Sequence, residues 1–453
     1  MVSTVAAPAI VIAAPASGSG KTTVATGLMG ALRRAGHRVA PFKVGPDFID
    51  PGYHGLAAGR PGRNLDPVLV GEDLIAPLYR HGSRGADIAV VEGVMGLFDG
   101  RIDERFVVPA RGSTAQVARL LGATVLLVVD ARGQSQSIGA LLAGFSSFGH
   151  GVRIGAVVLN NVGSARHEQV LRQACEFAGV PVLGALPRHD ALAVPSRHLG
   201  LVTAVEHGAK AEAAVNAMTA LVSTHIDLSA VAALADSAVT AEPWSPQTAV
   251  GEPVAGDPVI AVAGGSAFSF GYAEHAELLC AAGARPVVFD PLTETLPDRT
   301  AALVLPGGFP EQYPEQLSAN TTLREQIGKL AAHAPVHAEC GGLTYLMSDL
   351  DGHPMCGVLA GSARMGPRLT LGYRDAVAAA DSPLHDAGQR VSAHEFHRTA
   401  VQFAGPVQPA WLTGETGPAG EGAIRGGVHA SYLHTHPAAH PLSVRRFVER
   451  ATP

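Results

Sequence analysis

A strand-like segment that runs into a glycine-rich turn and then a helical stretch constrains this chain most strongly. Residues 10–14 are apolar, residues 15–23 read Pro-Ala-Ser-Gly-Ser-Gly-Lys-Thr-Thr, and residues 24–34 follow a helical pattern. Glycines allow backbone amides to turn around phosphate oxygens at the start of a helix, where a lysine reaches the terminal phosphates. The segment therefore predicts a P-loop, which binds a nucleotide at the edge of a parallel α/β sheet.

The predicted P-loop supplies nucleotide-binding residues and one metal ligand. Pro15 stands where the common pattern has its first glycine, five positions before Gly20, so the loop belongs to a variant class. Thr22 is placed to ligate Mg²⁺ through its hydroxyl group. The residues predicted to bind the nucleotide are Ser17, Gly18, Ser19, Gly20, Lys21, Thr22 and Thr23.

Short apolar runs alternate with helical stretches along most of the 453 residues, a length that suits two or three domains. Strands joined by crossover helices form a mainly parallel, doubly wound sheet, so we predict two α/β domains in tandem. No Lys or Arg occurs between Lys210 and Arg285, and residues 237–258 are rich in Pro, Ala and Thr. We therefore predict a nucleotide-using domain over residues 1–235, a linker over 236–257 and a second domain over 258–453. The predicted strands are 10–14, 39–43, 88–92, 124–130, 154–160, 259–263, 286–290, 302–305 and 336–339.

Composition and charge exclude several classes of protein. Only 16% of the residues are charged, the formal net charge is −6, and no block of basic residues occurs, which argues against nucleic-acid or anionic-membrane partners. Apolar runs end well before the roughly 18 residues that a membrane helix needs, so we expect a cytoplasmic protein without a membrane segment. The four cysteines show no paired spacing, which argues against a disulfide framework and a cysteine-rich zinc site.

Charged side chains follow two other predicted strands of the first domain. Lys43, Asp47 and Asp50 come after the second strand, and Glu92 ends the third. Because strand carboxyl ends line the crevice of an open α/β sheet, these groups are expected beside the nucleotide phosphates. We predict that Lys43, Asp47 and Asp50 serve the substrate and phosphoryl transfer, and that Asp47 and Glu92 join Thr22 as ligands of Mg²⁺.

An asparagine closes a later strand of the same domain. Asn160 is predicted to hydrogen-bond the adenine of the nucleotide. Asn160 and the Pro/Gly/Asp segment after Lys43 could instead be ordinary turn residues without a binding role. The sequence leaves this alternative open.

In the second domain a cysteine lies between an apolar strand and a helical stretch. Cys340 is predicted to be a nucleophile, because a strand-to-helix turn exposes the thiol and the helix N-terminus lowers its pKa. Backbone amides at Gly308 and Gly341 are predicted to stabilise an oxyanion, and His434 is the predicted base. Two alternatives stay open: a buried structural cysteine, and a metal site formed by the late histidines, which are His429, His434, His436 and His440.

Together these motifs resemble one family across nearly the whole chain, the cobyrinic acid and hydrogenobyrinic acid a,c-diamide synthases. The matching segments are 17–23, 43–47, 50–51, 92–100, 306–311, 340–342, 394–397 and 431–434. The resemblance implies a dethiobiotin-synthetase-like ATPase domain fused to a class I glutamine amidotransferase domain. It also implies ATP- and glutamine-dependent amidation of the a and c carboxylates of a cobyrinate-type tetrapyrrole through an acyl phosphate, with Mg²⁺, and it leaves a homodimer open.

The chain departs from ordinary class I amidotransferases at one position. Those proteins carry a glutamate two residues after the histidine base, whereas this chain has His436 there. The resemblance therefore supplies Cys340 and His434 but no orienting acid. Two alternative functions are a sibling amidotransferase, similar to cobyric acid synthase or nickel-sirohydrochlorin diamide synthase, and a P-loop ATPase that does not amidate.

Overall fold

The computed structural model describes residues 6–102, 106–188, 196–197, 200–414 and 419–452. The chain divides into two compact units, Met1–Trp244 and Ser245–Pro453. The division falls inside the segment 236–257, where the sequence places a linker.

The first unit is built around a seven-stranded sheet in which every neighbouring pair is parallel. Its strands are β1 (Ala9–Ala13), β2 (Val39–Val44), β3 (Arg63–Leu65), β4 (Ile88–Glu92), β5 (Thr124–Asp130), β6 (Ile154–Val162) and β7 (Val182–Pro187). The order across the sheet is β3-β2-β4-β1-β5-β6-β7, and a separate short pair is formed by β8 (Ser196–Arg197) and β9 (Gly200–Leu201). All residues of β1, β2 and β4 are buried, as expected for strands covered on both faces.

Helices connect these strands and cover the sheet. They are α1 (Lys21–Arg34), α2 (Asp50–Ala58), α3 (Pro67–Val70), α4 (Glu72–Gly82), α5 (Thr114–Leu121), α6 (Ser137–Phe148), α7 (Ala165–Phe177), α8 (Ala204–His207), α9 (Ala209–His225) and α10 (Leu228–Leu234). Because β1, β2 and β4 are adjacent and parallel, the segments after them meet at one edge of the sheet.

The second unit contains a six-stranded sheet of order β11-β10-β12-β13-β21-β20, parallel except for its last pair. Its strands are β10 (Val259–Ala263), β11 (Arg285–Phe289), β12 (Thr300–Leu305), β13 (Val336–Glu339), β20 (Ala423–Arg425) and β21 (Val428–Ser431). The helices of this unit are α11 (Pro246–Val250), α12 (Ala273–Ala281), α13 (Pro314–Ala319), α14 (Thr321–Leu330), α15 (Gly341–Leu346) and α16 (Pro441–Arg450), with short 3-10 turns at Pro310–Gln312 and Pro437–Ala439.

A second, mainly antiparallel sheet completes this unit, and the sequence analysis missed it. Its strands are β14 (Met347–Leu350), β15 (His353–Pro354), β16 (Leu359–Ala378), β17 (Arg390–Phe403), β18 (Trp411–Thr413), β19 (Ala419–Glu421) and β22 (His434–Thr435). The long strand β16 alternates irregularly between buried and exposed positions, and its pairing with β17 shifts register between Met365 and Thr370. Such a strand lacks the unbroken apolar run that marks a buried parallel strand.

The predicted α/β fold is confirmed, and every strand named from the sequence is present within a few residues of its predicted bounds. Among the described residues, none of the helices combines the length and apolar character needed to cross a bilayer.

Candidate active sites

The P-loop of the first unit depends on glycine at two positions. Gly18 and Gly20 have φ values of 78° and 98°, in the left-handed region that glycine adopts most easily. A Cβ atom on Gly20 would lie 2.2 Å from Nδ2 of Asn160. That amide nitrogen donates a hydrogen bond to the carbonyl of Ser19 at 2.9 Å. The structure therefore places Asn160 against the loop backbone, where it holds the turn in shape.

Lys21, the first residue of α1, extends its ammonium group across the loop. Its Nζ donates to the carbonyl oxygens of Met95 at 2.6 Å and Ala16 at 3.3 Å. Burial, and next the charge of Lys43, lower the pKa of Lys21 from its usual value. Of the other loop residues, Ser17 and Gly18 are exposed, Ser19 is buried, and Thr22 and Thr23 are partly buried.

Four predicted residues come together here, at the ends of β2 and β4 and the starts of α1 and α2. Lys43 Nζ donates to Asp50 Oδ2 at 2.6 Å and to Glu92 Oε1 at 2.9 Å. The Thr22 hydroxyl donates to the same Glu92 oxygen at 2.6 Å. Asp47 is more distant, with Oδ2 3.9 Å from Lys43 Nζ, and its other oxygen accepts the backbone amides of residues 49 and 50.

A histidine that the sequence analysis missed completes this cluster. His54 Nε2 lies 2.6 Å from Glu92 Oε2, and both side chains are fully buried. Burial opposes ionisation of Glu92, but Lys43 and His54 outweigh it and hold the pKa of this carboxyl below its usual range. Burial and the charge of Asp47 raise the pKa of Asp50. His54 lies on α2 one turn after Asp50, and only this spacing could have pointed to it.

The oxygen donors of this cluster fit Mg²⁺. Thr22, Asp50 and Glu92 present hydroxyl and carboxylate oxygens close together, the hard donors that Mg²⁺ prefers alongside nucleotide phosphates. Among the described residues, no group of three or more His, Cys, Asp or Glu side chains is arranged to hold a metal ion by itself. This finding also gives no support to the alternative of a metal site at the late histidines.

Changing Glu92 to Gln is expected to reduce both activity and stability, because it removes a buried charge partner of Lys43 and His54. The loss in the free energy of unfolding should be about 3 kcal/mol, in the range for breaking a buried ion pair. Asp47→Asn is the matched control, because the Asp47 side chain is 32% exposed and lies at the rim of the cluster. Thermal unfolding of both variants measures the difference in stability between them. Equal melting temperatures would contradict the role of Glu92 as a buried charge partner of Lys43 and His54.

In the second unit three adjacent parallel strands bring the predicted glutaminase residues together. The strand β12 leads into Gly307 and Gly308, β13 leads into Cys340, and β21 leads toward His434. Cys340 has φ 49° and ψ −104°, an unusual backbone conformation for a residue with a side chain. It lies between β13 and α15, so the strained strand-to-helix turn expected for a nucleophile is present.

Three backbone groups lie near the Cys340 sulfur, whose thiol donates to the carbonyl of Phe396 at 3.8 Å. The amides of Gly341 and Gly308 hydrogen-bond toward it, and both lower the pKa of the thiol. A Cβ atom on Gly341 would lie 3.1 Å from the nitrogen of Gly308, so the two segments are closely packed. Burial and the charge of Glu311 dominate, however, and raise the pKa of Cys340 above its usual value. The thiol therefore needs a base to become a nucleophile.

His434 lies at this turn and is fully buried. A Cβ atom on Gly307 would lie 2.5 Å from its Cε1 and 3.2 Å from its Nε2, so this side of the ring faces the Gly307–Gly308 turn. The other ring nitrogen, Nδ1, is 3.2 Å from Oε2 of Glu339, the residue before Cys340. The sequence analysis did not assign a role to Glu339. The only feature of the sequence that could have pointed to this residue is its position directly before Cys340.

Other histidines of the second unit make its stability sensitive to acid. Burial lowers the pKa of His385 to about 4, that of His394 to about 3, and that of His429 well below its usual value. Each is neutral when folded, whereas the unfolded chain takes up protons below about pH 6.5. Their stabilising contribution is therefore complete above about pH 6.5 and is lost as the pH falls toward 4. We expect the melting temperature to fall progressively across this range, as measured by calorimetry, and a flat profile would contradict it.

Comparison with known proteins covers both units. Residues 10–202 match the CobQ/CobB/MinD/ParA nucleotide-binding domain, and residues 259–441 match the CobB/CobQ-like glutamine amidotransferase domain. The first match contains the P-loop cluster, and the second contains Cys340, Glu339 and His434.

Several curated proteins are similar to this chain over nearly its whole length. The chain is 66% identical to hydrogenobyrinate a,c-diamide synthase of Mycobacterium tuberculosis over 446 residues, which are 98% of each chain. It is 54% identical to the protein of the same name from Streptomyces coelicolor, again over 98% of each chain. It is 42% identical to cobyrinate a,c-diamide synthase of Gloeobacter violaceus, over 98% of this chain and 96% of the other. The chain therefore belongs to the a,c-diamide synthases, a family of amidating ligases that join a nucleotide-binding domain to a glutamine amidotransferase domain.

Proposed function

We propose that this enzyme uses ATP and glutamine to amidate the a and c carboxylates of hydrogenobyrinate, the macrocycle without cobalt. The occurrence of two complementary sites in one chain carries the proposal: a P-loop cluster that suits phosphoryl transfer, and a cysteine at a strained turn that suits glutamine hydrolysis. The choice of macrocycle is supported by the names of the relatives that are 66% and 54% identical.

The first unit would activate the substrate carboxylate. A free carboxylate is a poor electrophile for an amine, so the γ-phosphoryl group of ATP is transferred to a carboxylate oxygen, which yields an acyl phosphate and ADP. Lys21 neutralises charge on the transferred group, and Lys43, held by Asp50 and Glu92, orients the acceptor carboxylate. Thr22 and Glu92 would hold Mg²⁺, which neutralises phosphate charge when it is bound with ATP.

The second unit would supply ammonia. His434 accepts the Cys340 thiol proton, and the thiolate attacks the side-chain amide carbon of glutamine. The amides of Gly308 and Gly341 stabilise the oxyanion, and His434 returns the proton to the departing ammonia. Water then hydrolyses the thioester to glutamate. Ammonia displaces phosphate from the acyl phosphate, and two such cycles yield the diamide.

The substrate is tested by incubating the purified enzyme separately with hydrogenobyrinate and cobyrinate in the presence of ATP, Mg²⁺ and glutamine. Mass spectrometry of the products counts the amidations. We expect the diamide of hydrogenobyrinate as the main product. A preference for cobyrinate would instead support the second candidate, which the 42% identical relative named for that substrate favours. Products amidated at other carboxylates would point to a sibling activity.

A further inference from the structure

The base of the glutaminase site has a carboxylate partner that does not come from the expected position. The residue two after His434 is His436, which is fully buried and packs its ring against Tyr272 at a centroid distance of 4.2 Å. His436 Nδ1 accepts a hydrogen bond from the backbone amide of Ala438. It is therefore engaged within its own turn and cannot serve as an acid for His434.

Glu339 is held in place from several directions. Its Oε2 lies 3.2 Å from His434 Nδ1, and its Oε1 lies 3.3 Å from His337 Nε2. The backbone amide of Thr435 also donates to Oε1, at 3.3 Å. Burial opposes ionisation, but His337 and His434 outweigh it and keep the pKa of Glu339 below its usual range. The carboxylate is thus a fixed negative charge.

The strand geometry explains how one short segment provides both groups. Successive side chains of a strand point to opposite faces, so His337 and Glu339 share a face of β13. Cys340 follows at the turn, where its thiol donates to the carbonyl of Phe396 at 3.8 Å and the amides of Gly308 and Gly341 approach its sulfur. The nucleophile and the carboxylate beside its base are therefore consecutive residues.

Two other carboxylates of this unit make different contacts. Glu395 lies 2.7 Å from Arg374, and Glu421 accepts hydrogen bonds from the Ser431 hydroxyl and the Tyr432 amide. Glu339, in contrast, has Oε2 3.2 Å from Nδ1 of His434. Glu339 is thus the acid that the geometry assigns to the base.

We propose that Glu339 is the positioning residue that completes the glutaminase site, in place of the acid missing at position 436. This inference rests on the proposed function of Cys340 and His434. Glu339 accepts the Nδ1 proton of His434, which leaves Nε2 free of a proton and facing the Gly307–Gly308 turn, where it takes the thiol proton. As His434 becomes positively charged, the Glu339 carboxylate stabilises it and itself remains ionised throughout.

The test compares Glu339→Gln with Glu339→Asp and with the matched control Glu325→Gln, which makes the same change at an exposed position of α14. In Glu339→Gln we expect the kcat for glutamine hydrolysis to fall by about 10²–10⁴-fold with little change in KM. Ammonium-driven amidation should be unaffected. Glu339→Asp, which keeps the charge, should recover part of kcat, and Glu325→Gln should stay within about threefold of the parent enzyme.

A second readout separates positioning from structural damage. The rate at which iodoacetamide alkylates Cys340 is followed against pH by mass spectrometry, with the exposed Cys280 as internal reference. Glu339 also raises the pKa of Cys340 through direct charge repulsion, so loss of that charge alone would move the Cys340 midpoint to lower pH in Glu339→Gln. We expect the midpoint to move to higher pH instead, because the thiolate loses its stabilised imidazolium partner. An unchanged midpoint with parental kcat in the folded variant would overturn the proposal. If the parent enzyme does not hydrolyse glutamine, the proposed function fails instead, and the alkylation profile still reports on Glu339.

Discussion

Replacing Cys340 with serine is expected to abolish glutamine-dependent amidation while ammonium-driven amidation continues. The hydroxyl of serine is a far weaker nucleophile at neutral pH, so the rate with glutamine should fall by at least about 10³-fold. The P-loop cluster is in the other unit and keeps all its residues. Diamide formation, measured by mass with glutamine or with a high concentration of ammonium salt at mildly alkaline pH, gives the comparison.

The matched control is Cys280→Ser, which makes the same change at an exposed cysteine and should keep both activities. A well-folded Cys340→Ser protein that uses neither nitrogen source would contradict the division of labour between the units. One that still uses glutamine at the parental rate would remove Cys340 from the mechanism.

Replacing Lys21 with alanine is expected to abolish amidation with either nitrogen source. The ammonium group that steadies the transferred phosphoryl group is lost, which should reduce turnover by about 10²–10⁴-fold. In the structure Lys21 Nζ donates to two backbone carbonyls, those of Ala16 and Met95, so the fold should survive the loss of the side chain. Turnover with glutamine and with ammonium, together with thermal unfolding, measures both effects.

Lys210→Ala is the matched control for this prediction, because Lys210 is exposed on α9 and should tolerate the change. Near-normal turnover in a folded Lys21→Ala enzyme would refute the assignment of the P-loop. If the variant lost glutamine-dependent amidation but kept ammonium-dependent amidation, Lys21 would instead contribute to the supply of ammonia from glutamine.

The parallel sheets were predictable because their strands are short, apolar and bounded by turns. In β1 and β4 every residue is buried, and such runs stand out in the sequence whatever their neighbours are. The antiparallel sheet of the second unit was not predictable in this way. Its strands β16 and β17 mix exposed and buried positions, and their register depends on pairing between distant segments.

The predicted site residues also differ in how much of their environment the local sequence could predict. Glu92 ends β4, Cys340 directly follows β13, and Lys21 follows β1 after the glycine-rich turn, so their positions at the sheet edge could be inferred from local sequence alone. Asn160 was also expected there, but only the folded chain reveals that its amide bonds to the carbonyl of Ser19. Local pattern locates a side chain at an edge of the sheet, whereas its partner depends on how separate segments pack.

Local sequence was enough to predict the two α/β units, the P-loop and the place of Cys340 between a strand and a helix, because each follows from glycine placement and apolar runs within a few consecutive residues. The partners of the predicted site residues became visible only in the folded structure. His54 reaches Glu92 across 38 positions, and Glu339 reaches His434 across 95. Partners that far apart along the chain leave no periodic signal, since strand order and burial bring them together only after folding.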